Sequence, residues 1–290
     1  MKPKTLLALL AAIGIFSFPG VADAAEISAS DQEKIISNFR KSASVMPNWQ
    51  IQIKDIKDSP FPSLIQATME FRSGTEVRMQ NVFISTDSKQ YIVGNLFKSD
   101  EDQDVIRRGK LTVEGSPSRG RPNSPITIWE FSDLGCSSCK FAHEQITADK
   151  TLEAYPGKIR WVYKNRPIAR SHVWALDAAV ACMCAYKLNH AAFWKMQDDI
   201  FTQQSSITVN NLWEKLSGFA KASHLDPAKF KACCDQKETL PEVKRDLDLA
   251  ESLGVVQTPT FFVDGRIVVG YPGGTSFKLL IDEFLKKPNR

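Results

Sequence analysis

The sequence contains few histidines, no cluster of basic residues and no internal repeat. Its 290 residues include 4 histidines, and no two of them have the spacing of a zinc ligand pair. Lys and Arg total 37 against 33 Asp and Glu, a formal charge of +4, and they form no basic run. A nucleic-acid partner is therefore not expected. After the N-terminal segment, no apolar run has the ~20 residues that a membrane-spanning helix needs.

The N-terminal segment has the three parts of a secretory signal peptide. A basic start at Lys2 and Lys4 precedes an apolar stretch over residues 6–18, and the small residues Ala22 and Ala24 follow it. The apolar stretch is shorter than the ~20 residues of a membrane span. We therefore expect residues 1–24 to be removed after Ala24 and the mature chain to be exported, most simply to a bacterial periplasm, where disulfides persist.

Of the six cysteines, Cys136 and Cys139 are the most informative. An apolar run of strand character over residues 126–131 ends in a short turn, and a helical pattern begins at these cysteines. A thiol at a helix N-terminus faces unpaired N–H groups and the positive end of the helix dipole, which favour the thiolate. A Cys-X-X-Cys is also half of a zinc site, but the remaining Cys and His residues supply no second half with zinc spacing. The spacing therefore favours a redox pair, with Cys136 as nucleophile and Cys139 as resolving thiol.

A second motif lies over residues 254–269, where a strand, an Asp-Gly turn and another strand are predicted. Pro259 comes just before the first strand, where it removes no central ladder hydrogen bond. Together with the Cys-X-X-Cys, this motif resembles the thioredoxin superfamily. The resemblance implies that Pro259 is a cis-proline opposite the cysteines and that the backbone of Thr258 pairs with a substrate strand. An ordinary trans-proline, the commoner state of an X–Pro bond, is the alternative.

The chain between a predicted strand at 159–163 and Thr258 is much longer than one crossover helix. Residues 175–186, 189–201 and 242–253 have helical patterns, and residues 212–219 have apolar side chains at helical spacing. A helical insert of this size resembles the DsbA family. The resemblance implies an α/β thioredoxin fold with a large helical insertion at about 170–254, in a domain spanning 126–287. It also implies that no cofactor is needed, because electrons pass as disulfides.

Glu130 interrupts a strand that is otherwise predicted to be buried on both faces. A carboxylate there is costly unless it is neutral or partnered. The DsbA resemblance implies a buried acid beneath the cysteine pair, which accepts the proton of Cys139 through water. A surface-facing glutamate near the strand end is the alternative. Asp133, in the turn that follows, is interpreted as a turn-forming side chain.

Four cysteines remain, and an even number in an exported chain suggests a structural bridge. Cys182 and Cys184 point about 200° apart on a predicted helix, so one bridge to Cys233 or Cys234 is favoured over two. Similarity to DsbA relatives with a second disulfide implies the pair Cys184–Cys233. Whether Cys182 and Cys234 are paired or free stays open, and a copper or zinc cluster of all four is a further alternative.

The residue pattern before the Cys-X-X-Cys domain predicts a separate small domain. Residues 26–112 contain a helix opened by a capping box at Ser30 and Glu33, then alternating strands with a hairpin. Residues 113–125 are rich in Pro, Gly and Ser and predict a linker. The order and size of the α+β domain resemble the dimerisation domain of the disulfide isomerases DsbC and DsbG, which implies a possible homodimer. A generic substrate-binding or spacer domain is the alternative.

These features predict an exported thiol:disulfide oxidoreductase that forms or rearranges disulfides in periplasmic proteins. The expected partners are cysteine-containing exported proteins and a membrane redox partner protein, and no metal or dissociable cofactor is expected. A dimeric disulfide isomerase or reductase is the alternative within this class. From different classes, the alternatives are a thiolate metal-binding periplasmic chaperone and an inert holdase that uses the N-terminal domain.

Overall fold

The computed structural model describes residues 26–74 and 76–286. They form two compact units that divide between Lys98 and Ser99, earlier than the boundary predicted at residue 112. The predicted signal peptide, residues 1–24, lies outside the described residues. Within the described part of the chain, every helix is too short or too polar to cross a bilayer.

The first unit consists of one helix and a four-stranded antiparallel meander with the strand order β1-β2-β3-β4. The hydroxyl of Ser28 caps the helix by accepting from the N–H of Asp31, so the helix begins slightly before the predicted cap at Ser30. The elements are α1 (Ala29–Ser42), β1 (Gln50–Asp58), β2 (Leu64–Ser73), β3 (Glu76–Ser85) and β4 (Tyr91–Val93).

The core of the first unit lies between helix α1 and one face of the sheet. Ile35 of α1 is buried there with Met69 and Val82 of the strands. On the other face of β2, the buried carboxylate of Glu70 pairs with Lys54 at 2.9 Å. The unit contains no cysteine, so the redox chemistry predicted from the sequence belongs to the second unit.

The second unit is built on a five-stranded sheet with the strand order β5-β7-β6-β8-β9. Strands β6 and β7 are parallel and the other neighbours are antiparallel. The strands are β5 (Ser118–Arg119), β6 (Ile126–Ser132), β7 (Ile159–Asn165), β8 (Thr260–Val263) and β9 (Arg266–Val269). Helices α2 (Gln103–Lys110), α3 (Ser137–Ala148) and α9 (Gly274–Lys286) accompany them.

Strand β6 lies in the middle of this sheet and is covered on both faces, which explains its nearly continuous apolar sequence. On one face, Ile128 is buried with Ala142 of α3 and Phe277 of α9. On the other face, Phe131 is buried with Ala250, which lies in the helical insertion. The carboxyl end of β6 therefore leads directly from the core into the cysteine turn.

The chain between β7 and β8 forms the helical insertion, whose apolar faces share one core cluster. A disulfide between Cys184 and Cys233 joins its first helix to its fourth. The fold class predicted from the sequence, a thioredoxin-type α/β fold with a helical insertion behind a small α+β unit, is confirmed. The helices are α4 (Ala175–Leu188), α5 (His190–Gln203), α6 (Leu212–Ala222), α7 (Pro227–Asp235) and α8 (Leu240–Ser252), with a 3₁₀ turn at Gln204–Ser206.

The segment predicted as a linker contributes to the fold of the second unit. Its residues Ser118–Arg119 form strand β5, which pairs with β7. Lys164, itself buried, donates to the hydroxyl of Ser116 at 2.7 Å and to the carboxylate of Asp246 in α8 at 3.1 Å. Backbone pairing and a buried lysine anchor this segment, and neither feature is visible in its Pro-, Gly- and Ser-rich composition.

Helix α2 also belongs to the second unit, because it packs against β9. Asp104 accepts from Arg266 at 2.6 Å, and Arg108 donates to Asp264 at 2.9 Å. Gly265 lies so close to α2 that a Cβ atom there would overlap the carbonyl oxygen of Asp104, and its φ of +100° also favours glycine. Residues 99–112 therefore complete the sheet unit instead of closing the N-terminal one.

Candidate active site

The two cysteines of the Cys-X-X-Cys lie where the carboxyl end of β6 meets the N-terminus of α3. Cys136 is the N-cap residue of α3, and its N–H donates to the carbonyl of Asp133 across the connecting turn. Cys136 is half-buried, whereas Cys139, within the first turn of the helix, is fully buried. A substrate can therefore reach Cys136 but not Cys139, as a nucleophile and a resolving thiol require.

The two thiols differ sharply in proton affinity. The pKa of Cys136 is lowered to about 5, mainly by a hydrogen bond from the Cys139 thiol. Hydrogen bonds from Thr258 and from the N–H groups of Cys139 and Ser138 lower it further, whereas burial raises it. Burial raises the pKa of Cys139, and its contact with Cys136 raises it further. At neutral pH the pair is therefore a thiolate at Cys136 beside a thiol at Cys139.

The loop before β8 lies against Cys136. The peptide bond between Thr258 and Pro259 is cis. In its thiol form, Cys136 Sγ donates to the carbonyl oxygen of Thr258 at 3.6 Å. The structure therefore brings together Cys136, Cys139, Thr258 and Pro259, although Thr258 and Pro259 are more than 100 residues away from the cysteines in sequence.

Glu130 is buried, with 4% of its surface exposed, so the alternative of a surface-facing glutamate is wrong. The indole N–H of Trp161 donates to its Oε2 atom at 2.9 Å. Burial raises the pKa of this carboxyl, and the charge of His143, the nearby Ser132 hydroxyl and the hydrogen bond from Trp161 only partly oppose that rise. A buried carboxyl with a raised pKa is a stronger base than an ordinary glutamate and is suited to accept and return a proton.

Asp133 does more than form a turn, contrary to its interpretation from sequence. Its Oδ1 atom accepts from the N–H of Gly135 at 2.7 Å. Its Oδ2 atom accepts from the N–H of Ile168 and lies 2.7 Å from Nδ1 of His172. One buried carboxylate therefore connects the cysteine turn to the segment that enters the helical insertion.

Two further residues of the site were missed from sequence. The side chain of His172 packs on Gly135, where a Cβ atom would collide with it. Gln204, in the 3₁₀ turn, donates from Nε2 to the carbonyls of Leu134 at 2.8 Å and Cys136 at 3.1 Å. Both contacts span more than 30 residues and involve common residue types, so no local pattern could have revealed them.

The disulfide Cys184–Cys233 leaves thiols at Cys182 and Cys234. Burial raises the pKa of both thiols, and that of Cys234 reaches about 12, so neither resembles the activated Cys136. The bond also removes two of the four thiols that the copper or zinc cluster would have used. Among the described residues, no group of three or more His, Cys, Asp and Glu is arranged to hold a metal ion.

The fold and the site define a dithiol protein of thioredoxin architecture, with a cis-proline loop beside a Cys-X-X-Cys at a helix N-terminus. A family model described as Thioredoxin matches residues 112–283. The chain belongs to the thioredoxin family. The resemblance of its N-terminal unit to the DsbC and DsbG dimerisation domain stays a prediction.

Two proteins that are similar to this chain in sequence differ in name and in the share of their length that matches. Disulfide bond formation protein D of Bacillus subtilis is 23% identical over 195 residues, which cover 65% of this chain and 85% of that protein. Na(+)/H(+) antiporter NhaA 1 of Mycolicibacterium gilvum is 29% identical over 150 residues, 51% of this chain, but the match spans only 23% of the antiporter's length.

Solved structures show the same fold. Oxidised BdbD from Bacillus subtilis superposes with a TM-score of 0.55 at 24% identity, covering 61% of this chain and 96% of that one. Wolbachia pipientis alpha-DsbA1 gives a TM-score of 0.53 at 24% identity, covering 63% and 96%. The DsbA-like architecture expected from the sequence is therefore confirmed.

Proposed function

We propose that this protein is an exported thiol:disulfide oxidoreductase that forms or rearranges disulfides in periplasmic proteins. The observation that carries the proposal is the asymmetry of the two thiols, a partly exposed Cys136 with a pKa of about 5 beside a buried Cys139 of raised pKa. Only the thiolate attacks a disulfide, so the chain has an attacking group at neutral pH and a second thiol held in reserve.

The exchange proceeds in two steps. The Cys136 thiolate attacks one sulfur of a substrate disulfide, forming a mixed disulfide while the other substrate sulfur leaves as a thiolate. Cys139 then gives up its proton and attacks Cys136 Sγ, forming the Cys136–Cys139 disulfide and releasing the second substrate thiolate. The reverse sequence oxidises two substrate thiols. Glu130 accepts and returns the Cys139 proton, and the backbone of Thr258 beside Pro259 holds the substrate strand.

The low pKa of Cys136 favours the oxidising direction. Stabilising the thiolate stabilises the reduced protein, and a couple whose reduced form is stable is a stronger oxidant. The cell must then reoxidise the pair, which requires a membrane redox partner protein. The substrates are exported proteins that contain cysteine.

The redox state of the Cys136–Cys139 pair in cells tests this direction. Rapid acid quenching followed by alkylation with a mass-tagged maleimide distinguishes the two states. An oxidised pair is expected, and a reduced pair would indicate an isomerase or reductase instead. Cys182 and Cys234 add a constant background of tags, which a Cys182→Ala/Cys234→Ala variant removes. Failure of the purified protein both to reduce a model disulfide and to oxidise a model dithiol would refute the proposal as a whole.

An isomerase working as a dimer is the second candidate, supported by the outer face of the N-terminal sheet. Phe83 pairs with Ile92 across β3 and β4, and Met79 lies on the same face of β3. Ile92 and Met79 are 62% and 65% exposed. Exposed apolar side chains on a sheet face are typical of a surface that another chain covers. Refolding of scrambled ribonuclease would separate this activity from simple oxidation.

A further inference from the structure

Two oxygen atoms on strand β6 are buried and lack a hydrogen-bond partner of standard geometry within the described residues. They are Oε1 of Glu130 and Oγ of Ser132. Residues two apart on a strand point to the same face, so both oxygens lie on one side of β6. Ile128 follows the same alternation and packs with Ala142 of α3, so this is the side that helix α3 covers. Buried oxygens without partners are uncommon in folded proteins, and two on one strand face suggest a function.

The Glu130 carboxyl is held so that one oxygen stays available. Trp161 donates to Oε2 at 2.9 Å and fixes the carboxyl group, while Oε1 is left without such a bond. The arrangement separates two tasks. Oε2 positions the acid, and Oε1 is the atom that can gain or lose a proton.

Ser132 lies beside the resolving thiol as well as beside this carboxyl. The N–H of the next residue, Asp133, donates to Cys139 Sγ at 3.4 Å, so the strand end lies against the thiol. The nearby Ser132 hydroxyl acts against the raised pKa of both Glu130 and Cys139. The hydroxyl is thus within reach of both groups and fully bonded to neither. A hydroxyl can accept one proton and donate another, as a relay must.

We propose that Ser132 carries the proton between Cys139 and Glu130, which extends the proposed function to a specific route. In the resolving step, Cys139 gives its proton to Ser132 Oγ while the Ser132 hydroxyl gives its own proton to Glu130 Oε1. The Cys139 thiolate attacks Cys136 Sγ, the bond from Cys136 to the substrate sulfur breaks, and the substrate leaves as a thiolate. In the opposite direction the proton returns by the same two transfers.

The test follows the two steps of exchange with glutathione disulfide in the full-length protein. Reduced protein forms a Cys136–glutathione mixed disulfide, and Cys139 then releases glutathione by forming the Cys136–Cys139 disulfide. Acid quenching and mass spectrometry follow these two disulfide species between pH 5 and 9. In Ser132→Ala, formation of the mixed disulfide should keep its rate, whereas its resolution at pH 6–7 should slow by about 10²-fold, the usual range for a lost proton transfer. The difference should shrink as the pH rises, because hydroxide can then take the Cys139 proton directly. Ser132→Thr, which keeps the hydroxyl, should resolve within a few-fold of the native rate.

A double variant separates a relay from a packing defect. If Ser132 acts through Glu130, then Ser132→Ala combined with Glu130→Gln should be no slower than Glu130→Gln alone. The relay would be overturned if the two substitutions slowed resolution of the mixed disulfide additively. It would also be overturned if Ser132→Ala resolved the mixed disulfide at the native rate while Glu130→Gln resolved it slowly. Either result would leave the proposed function intact. Absence of glutathione release from the native protein would instead count against the proposed function. If Ser132→Ala does not fold, Ser132→Gly replaces it in every comparison.

Discussion

Nδ1 of His172 lies 2.7 Å from Oδ2 of Asp133, and this hydrogen bond joins the start of the helical insertion to the turn that precedes Cys136. The same carboxylate oxygen accepts from the N–H of Ile168, and its other oxygen accepts from the N–H of Gly135. The position of Cys136 therefore depends on a side chain three residues before it and on a loop more than 30 residues after it.

Asp133→Ala should destabilise the protein by roughly 2–4 kcal/mol, because it leaves partly buried N–H donors at Gly135 and Ile168 without an acceptor. Urea unfolding of the oxidised protein measures the change. Asp235→Ala is the matched control, because that aspartate pairs with Lys231 on the exposed surface of a helix and its loss should change little. Equal stability of the two variants would show that the Asp133 network does not hold the fold together.

Cys136→Ser should abolish disulfide exchange, because the activated thiolate is lost. Cys139→Ser should instead accumulate mixed disulfides with substrates, since Cys136 can still attack but nothing resolves the product. Non-reducing gels of cell extracts, with and without dithiothreitol, distinguish the two outcomes. Residual insulin reduction by Cys136→Ser would assign the activity to another cysteine.

The reduction potential should change with pH in two regimes. Cys136 has a pKa lowered from 9.0 to about 5, and the pKa of Cys139 is raised, so between pH 5 and 9 reduction takes up two electrons and one proton. The potential should then fall by about 30 mV per pH unit, and by about 59 mV per unit below pH 5, where two protons are taken up. Glutathione and dithiothreitol equilibrations across this range measure both slopes. A slope of about 59 mV up to pH 8 would mean that Cys136 is not a thiolate.

The same lowered pKa predicts a pH-dependent stability of the reduced protein. Cys136 binds its proton more weakly in the folded chain than in the unfolded one, so its contribution to stability is present above pH 9 and is lost as the pH falls through about 5. The oxidised protein has no such contribution from Cys136. Urea unfolding of the reduced protein should therefore show rising stability from pH 5 to pH 8 relative to the oxidised form, and parallel curves for the two forms would contradict this.

Ser138→His should lower the pKa of Cys136 further and make the protein more oxidising. Strongly oxidising DsbA enzymes resemble this chain but have Pro-His between the cysteines, where Ser137 and Ser138 offer hydroxyls without charge. Each unit of pKa is worth about 1.4 kcal/mol, which corresponds to about 30 mV for a two-electron couple. Thiolate absorbance against pH and glutathione equilibration measure both quantities. Ser138→Asn is the uncharged control, and equal effects of the two substitutions would exclude an electrostatic cause.

If the N-terminal unit dimerises, light scattering should give twice the mass of the mature chain. Met79→Asp should convert the dimer to a monomer, because it places a charge on the outer sheet face where Met79 and Ile92 are exposed. The control is Lys89→Asp, at an exposed hairpin position of the same unit, which should leave the mass unchanged. A monomer at micromolar concentration would remove the main support for an isomerase.

The sequence predicted those parts of the site that are local in the chain. The Cys-X-X-Cys after an apolar strand and the proline before a strand hairpin are short patterns with a direct physical meaning. Glu130 was noticed because a carboxylate interrupts a buried strand. Asp133, His172 and Gln204 were missed as partners, because their contacts depend on how the helical insertion folds back on the turn.

The predicted domain boundary differs from the boundary in the structure for a related reason. Composition predicted an open linker before Ile126, but a strand as short as Ser118–Arg119 leaves almost no hydrophobic pattern. The contact of α2 with β9 depends on ion pairs between residues more than 150 positions apart. Patterns of apolar residues reveal cores well, but they do not reveal anchors made of backbone pairing and buried charge.

The buried bond between Lys164 and Asp246 restricts which parts of the second unit can act as a hinge. Moving the insertion away from the sheet would separate the ammonium group of Lys164 in β7 from the carboxylate of Asp246 in α8. Breaking such a buried ion pair typically costs about 3–5 kcal/mol. Asp246 also accepts from the backbone and side chain of Asn165, which adds to that cost. We therefore expect the sheet and the insertion to move as one body, and the loops at the rim of the site to adapt to the substrates of the proposed reaction.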